Sequence, residues 1–121
     1  TAQLTPPFCL VAGGETTVTL HGHGRGGRNQ ELALAAVPTL AGTPNVLLLA
    51  LATDGEDGPT DAAGAVVSGE TYQGGLDLGL SPDDTLSNND AYPYFDRLGD
   101  LLKPGPSGTN VNDLFLLFRF A

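Results

Sequence analysis

Three short stretches concentrate the residue types that do chemistry. The first, His21-Gly-His-Gly-Arg-Gly-Gly-Arg-Asn-Gln-Glu31, sets Arg25 and Arg28, two of only five basic residues, among glycines at the start of an amphipathic segment. Glycines let backbone N–H groups converge on a ligand, a helix start adds its positive end, and guanidinium groups hold planar oxyanions with paired donors. The stretch reads as a phosphate or carboxylate site built from Arg25, Arg28 and the N–H groups of Gly26, Gly27 and the first helical residues, Asn29 among them. The plainer alternative is that the glycines serve only chain geometry, but a basic residue at a helix N-terminus is mildly unfavourable and that alternative leaves Arg28 unexplained.

The second stretch, Thr53 to Asp61, carries Asp54, Glu56, Asp57 and Asp61. Its spacing allows a magnesium site of a few carboxylates shared with substrate phosphates, and it equally allows a run of Asx turns beside Gly55 and Gly58. The calcium-loop pattern fails. The third stretch, Gly105 to Asp113, offers Thr109, Asn110, Asn112 and Asp113 for ligand hydroxyls or as a rigid polar turn. It lacks the lysine of a Walker loop. His21 and His23 have too few companion ligands for a closed zinc site. No local Ser-His-Asp or Cys-His assembly and no dinucleotide fingerprint is present.

These stretches sit in a chain of 121 residues, 40% hydrophobic and 16% charged, with formal net charge −9. That size and composition suit one folded domain. Five basic residues against fourteen acidic ones argue against a nucleic-acid partner. The longest apolar run, Val46 to Ala52, is far too short to span a bilayer. The single Cys9 lies in an apolar run and is expected to be a small buried hydrophobe in a reducing, cytoplasmic protein. With no methionine at position 1, residues 1–7 read as a linker remnant and 8–121 as the domain.

The elements that must position the three stretches follow from periodicity. Phe8 to Ala12 and Glu15 to His21 are expected to pair as a hairpin across Gly13-Gly14. Asn29 to Leu40 has helical spacing, with Leu32, Ala35, Ala36 and Leu40 as its face and Leu34 and Val37 on the flank. Val46 to Ala52, apolar at every position, predicts a central strand covered on both faces. Residues 62–67 fit helix or strand equally. Thr71 to Leu80 predicts a glycine-weakened helix, and Ser81 caps a short helix opened by Pro82 and ending near Asn88. Asn89 or Asp90 caps another helix with Phe95, Leu98 and Leu102 on one face, and Leu114 to Phe120 is a closing strand. The pattern predicts a layered α/β domain with a mixed, partly antiparallel sheet flanked by helices.

Taken in order, Gly-Gly-Glu-Thr-Thr-Val (13–18), Gly-Arg-Gly-Gly-Arg-Asn-Gln-Glu (24–31), Thr-Asp-Gly-Glu-Asp-Gly-Pro-Thr-Asp-Ala-Ala-Gly (53–64), Asn-Asn-Asp-Ala-Tyr (88–92) and Gly-Pro-Ser-Gly-Thr-Asn-Val-Asn-Asp (105–113) resemble the leucine-rich MOFRL domain, the carboxyl-terminal half of class II glycerate 2-kinases. The resemblance implies one wall of an interdomain cleft in which ATP, with Mg²⁺, phosphorylates D-glycerate to 2-phosphoglycerate. It implies an N-terminal nucleotide-binding domain as partner and a fragment that is inactive and binds no cofactor tightly by itself. On this reading Arg28 and Asp54 are catalytic, and Arg25, Gly26, Gly27, Asn29, Thr109, Asn110 and Asn112 bind substrate or phosphate. Asp54 and Asp57 hold the metal, directly or through water, or one of them accepts the hydroxyl proton. The alternatives are a structural module that supports an upstream catalytic domain, and part of a hydroxypyruvate reductase, a label some relatives have carried.

Overall fold

A computed structural model of the chain describes residues 4–15, 17–20 and 22–121. The elements run β1 (Phe8–Gly14), α1 (Arg28–Leu40), β2 (Val46–Ala52), β3 (Gly64–Ser68), α2 (Thr71–Asp77), α3 (Pro82–Ser87), α4 (Ala91–Leu98), β4 (Leu101–Leu102) and β5 (Asp113–Arg119). The five strands form one sheet in the order β1-β5-β2-β3-β4. The layered α/β architecture with flanking helices is present, and the antiparallel part of the sheet extends to all four strand pairings.

The opening hairpin does not form. β1 continues through Gly13 and Gly14 and pairs with β5, Phe8 opposite Arg119 and Gly14 opposite Asp113. Among the described residues of 15–21, none is in a strand. A glycine pair permits a tight turn without requiring one, and a seven-residue ladder with the apolar β5 outweighs the local turn. Val46 to Ala52 is a central strand as expected, and the ambiguous segment 62–67 resolves as β3, antiparallel to β2. Gly64 is required there, because a Cβ would stand 1.7 Å from the Ala50 carbonyl oxygen.

Helix α1 buries Asn29, Gln30, Ala33, Leu34 and Val37, while Ala35 is exposed. The buried stripe is therefore rotated from the expected one, because two polar residues begin it and disguise its period. Ser81 caps α3 through its hydroxyl, 3.4 Å from the Asp84 N–H, with Pro82 in the first turn. α4 stops at Leu98, where Gly99 takes φ 76°, so Leu102 belongs to an edge strand rather than to the helix face.

Cross-strand register sorts the sheet into two faces. Leu48, Ala50, Ala65, Val67 and Phe115 pack with Leu34, Val37, Tyr94 and Phe95 into the core beneath the helices. Leu47, Leu49, Leu51, Leu114, Leu116 and Phe118 point the other way and lie outside that core. β2 thus carries the helical core on one face and only half-buried side chains on the other, against the expectation of two covered faces. Cys9, expected to be buried, is an exposed free thiol on edge strand β1, level with Phe118 on the bare face.

Candidate functional site

The three polar stretches meet at one end of the sheet. Ala52 at the end of β2 lies opposite Asp113 at the start of β5, which lies opposite Gly14 at the end of β1. The segments 53–63 and 103–112 therefore leave from neighbouring strand ends and knit together. Thr53 donates its N–H (3.0 Å) and its hydroxyl (2.7 Å) to the Asn112 carbonyl, and the Val111 N–H donates to Thr53 Oγ1 at 2.8 Å. The Ser107 N–H donates to the Asp54 carbonyl at 3.2 Å, and its hydroxyl donates to the Thr53 carbonyl. Gly55, at φ 90°, lets the two backbones touch, since a Cβ would stand 2.2 Å from the Gly105 oxygen.

The first stretch lies across this end as an extended ribbon held by Asn88-Asn89-Asp90. The Asn88 carbonyl accepts from the Gly24 N–H at 2.9 Å, and Asn89 Oδ1 accepts from the Gly22 N–H at 2.9 Å. Asn89 Nδ2 donates to the Thr19 carbonyl (3.2 Å) and to Glu31 Oε1 (2.7 Å). Asp90 sits at the N-cap position of α4, but its carboxylate accepts from the Arg25 N–H at 2.9 Å instead of capping that helix. This explains the alternating glycines. A Cβ on Gly22 would meet Asn88 at 2.3 Å, and one on Gly24 would meet Asp90 at 2.4 Å. The residues that alternate with these glycines, His23 and Arg25, are exposed. Sequence reasoning read Asn89 and Asp90 as a helix cap only; the repeated glycine at every second position was the available signal that one side of this segment is pressed against backbone. His21, the other half of the histidine pair, lies outside the described residues.

Arg28 opens α1 and makes a two-pronged ion pair with Asp113, Nε to Oδ2 at 2.7 Å and Nη2 to Oδ1 at 2.8 Å. The Asp113 side chain is fully buried and that of Arg28 is 28% exposed. The hydrogen bond to Asp113 holds the guanidinium proton more tightly than usual, with burial opposing it. Arg28 also lines two small clefts. One, of about 360 Å³, includes Thr17, Thr19, Glu31 and Asn89; the other, of about 280 Å³, includes Val18, Gly26, Gly27 and Gly58.

Asp57 has a different task. It is fully buried, and its Oδ1 accepts from Asn29 N (3.0 Å) and Asn29 Nδ2 (3.1 Å) while Oδ2 accepts from Gln30 N at 2.8 Å. The anion at the positive end of α1 is therefore this chain's own carboxylate. Gly27 is the N-cap residue, and its missing Cβ leaves room for Asp57, 2.4 Å from where that atom would stand. Gln30 extends the cap by donating to Thr60 Oγ1 at 3.0 Å.

The two arginines have separate partners. The Arg25 guanidinium lies over the Tyr92 ring at 4.2 Å, and Lys103 Nζ lies over the same ring at 5.3 Å. The Tyr92 hydroxyl donates to Asp61 Oδ1 at 2.7 Å and lowers the pKa of that carboxyl, with Lys103 and Arg25 assisting. Asp54 is half-buried and accepts from the Glu56 N–H at 2.9 Å. Thr109, Asn110 and Asn112 are exposed, Asn110 Oδ1 accepting from the Asn112 N–H at 3.0 Å. So the fold sets Arg28 on Asp113 at the sheet end where Asp54 and the 109–112 loop also lie, seats Arg25 separately against Tyr92, and places Asn29 inside the helix cap.

The Asp54 and Asp57 pair does not fit a magnesium ion. Both Asp57 oxygens are spent on α1, and among the described residues no group of three His, Cys, Asp or Glu is arranged to hold a metal. Among the described residues no helix is long and apolar enough to cross a membrane.

An antiparallel sheet layered with helices, with polar loops knitted at one sheet end, defines a small α/β domain, and comparison with known proteins gives its family. The MOFRL family model matches residues 8–113, and the chain belongs to that family. It is 50% identical over 113 residues to a D-glycerate 2-kinase of Thermotoga maritima, covering 93% of this chain and 27% of that protein. It is 46% identical over 112 residues to a glycerate 2-kinase of Pyrococcus horikoshii, covering 92% and 25%. The crystal structure of glycerate kinase from Thermotoga maritima superposes with a TM-score of 0.94 at 49% identity over 96% of this chain and 28% of that one. The chain thus spans about a quarter of the length of these relatives.

Proposed function

We propose that this chain forms one wall of the cleft of an ATP-dependent glycerate 2-kinase, within a cytoplasmic polypeptide of the relatives' length whose other part binds the nucleotide. The observation that carries the proposal is the ion pair that fixes Arg28 to Asp113 at the sheet end where the Asp54 and 109–112 loops are knitted together, in a chain about half identical to a D-glycerate 2-kinase. Phosphoryl transfer needs positioning and neutralisation of negative charge rather than covalent chemistry from the protein. Bound ATP supplies the phosphoryl group. Arg28, aimed by Asp113 along one wall of a cleft of about 360 Å³, holds the glycerate carboxylate or the transferred phosphate. Gly26 and Gly27 shape the smaller cleft beside it. Arg25 meets the second anion, and Asn110 and Thr109 take hydroxyls. Asp54, the half-buried carboxylate of the loop, accepts the proton of the 2-hydroxyl. No step runs through a metal held by Asp54 and Asp57.

One observation favours the supporting-module reading, in which the chemistry lies entirely upstream: Arg28, Asn29 and Asp57 all serve internal contacts. Kinetics of the full-length enzyme separate the two. Arg28→Lys keeps the charge but loses the planar fork, and Asp54→Asn loses the base. Under the cleft reading each lowers glycerate-dependent kcat/KM by about 100-fold or more in folded protein. Near-normal turnover in both overturns it in favour of support. On the reductase reading the nicotinamide nucleotide, like ATP on the kinase reading, binds in the rest of the polypeptide, and turnover of the full-length protein with NADH but not ATP would favour it.

A further inference from the structure

We propose that the bare face of the sheet is a docking surface, covered by an apolar layer from the remainder of a relative-length polypeptide. The inference rests on the reading that the domain works inside such a polypeptide, and it names the surface through which it does so.

β2 reads Val-Leu-Leu-Leu-Ala-Leu-Ala and β5 reads Asp-Leu-Phe-Leu-Leu-Phe-Arg. An antiparallel sheet with one wet face alternates apolar and polar residues, whereas these strands are apolar at both parities. The helices account for one parity only. The other, Leu47, Leu49, Leu51, Leu114, Leu116 and Phe118, is half-buried, carries no charge in a chain of net charge −9 and has no place in the core. Val11 on β1 extends the patch and is 64% exposed. Contiguous apolar patches of this kind mark contact surfaces.

The occupant follows from length and from continuity. The chain covers 27% of the Thermotoga relative, so nearly three-quarters of a polypeptide of that size is available to supply the layer. Towards the loops the face deepens into a cleft of about 530 Å³ whose floor includes Leu49, Leu51 and Leu102 and whose rim includes Thr53, Lys103 and Ser107. A layer seated on the sheet therefore reaches the loops that form the candidate site, and joins the two parts of the enzyme at its cleft. A second copy of this acidic chain would bring like charges together around the same patch.

Cys9 reports the cover directly, because it stands level with Phe118 on this face. Its modification by a small maleimide, mapped by mass spectrometry, is compared in the 121-residue chain and in the full-length polypeptide. We expect labelling slowed by about tenfold or more in the longer protein. Val11→Glu should restore fast labelling and lower the melting temperature there, while leaving the melting temperature of the short chain unchanged. Equal labelling at both lengths in folded protein overturns the proposal. So does slow labelling of the short chain accompanied by a dimer mass in light scattering, which assigns the face to a second copy. Protection of Cys9 in a full-length protein without glycerate kinase turnover would sustain the surface and remove the functional reading instead.

Discussion

Arg28 and Asp113 are unequally exposed, and that inequality decides what happens when either is removed. Asp113 is fully buried, so Arg28→Ala removes the guanidinium that donates to both of its carboxylate oxygens. Breaking a buried pair costs about 3–5 kcal/mol, and partial exposure of Arg28 lowers the expectation to about 2–4 kcal/mol in urea unfolding. An Arg28→Ala, Asp113→Ala double variant should recover part of that loss, and additive losses would mean that the pair is not coupled. The arginine is therefore a structural tie as well as a candidate ligand, and its alanine variant alone is a poor test of catalysis. Asp57 gives a second contrast. Asp57→Ala removes an N-cap and leaves buried donors on Asn29 and Gln30, with an expected loss of about 2–3 kcal/mol, while Asp54→Ala should change stability by less than about 0.5 kcal/mol. Equal effects would refute the capping role. At Asp61 the hydrogen bond from Tyr92 lowers the carboxyl pKa, so its contribution to stability is present above the unfolded-state pKa and is lost as pH falls through the folded one. Tyr92→Phe should raise that pKa towards the ordinary aspartate value, read by carbon-detected NMR titration.

At the level of elements, the ribbon 22–25 illustrates how a glycine pattern can be misread. The glycines suggested a ligand nest; two of them instead allow backbone to lie against Asn88 and Asp90. Gly24→Ala should release the ribbon, seen as faster amide exchange at position 24 and at Arg25 with the α1 and β2 amides unchanged. Retained protection would show that the contact at 2.4 Å is relieved at little cost. Helix α1 was legible in extent but not in rotation. Its stripe begins with Asn29 and Gln30, whose N–H groups donate to Asp57 and Thr60 while their buried side-chain oxygens, Asn29 Oδ1 and Gln30 Oε1, find no hydrogen-bond partner among the described residues. No hydropathy rule finds a buried polar start whose partners lie about thirty residues away. The missed hairpin has the same origin, since β1 finds its partner at the far end of the chain.

For the whole molecule, the sheet divides the apolar residues into those that stabilise this chain and those left open. Leu34→Ala, beneath α1, should cost about 3–5 kcal/mol, whereas Leu116→Ala on the bare face should cost about 1 kcal/mol in the same chain, both from denaturant midpoints. Comparable losses would mean that the face is not bare. The sequence by itself determined the layered class, β2, β5 and the capped α3, because periodicity, caps and turn residues act over a few positions. Its two-sided apolar strands also carried a demand for two covering layers. Only the tertiary structure decided that one layer is present here, that Asp57 and Asp113 belong to α1, and that three loops share one sheet end. Those outcomes depend on which distant segments become neighbours, and strand pairing sets that through long-range contacts with no local signature.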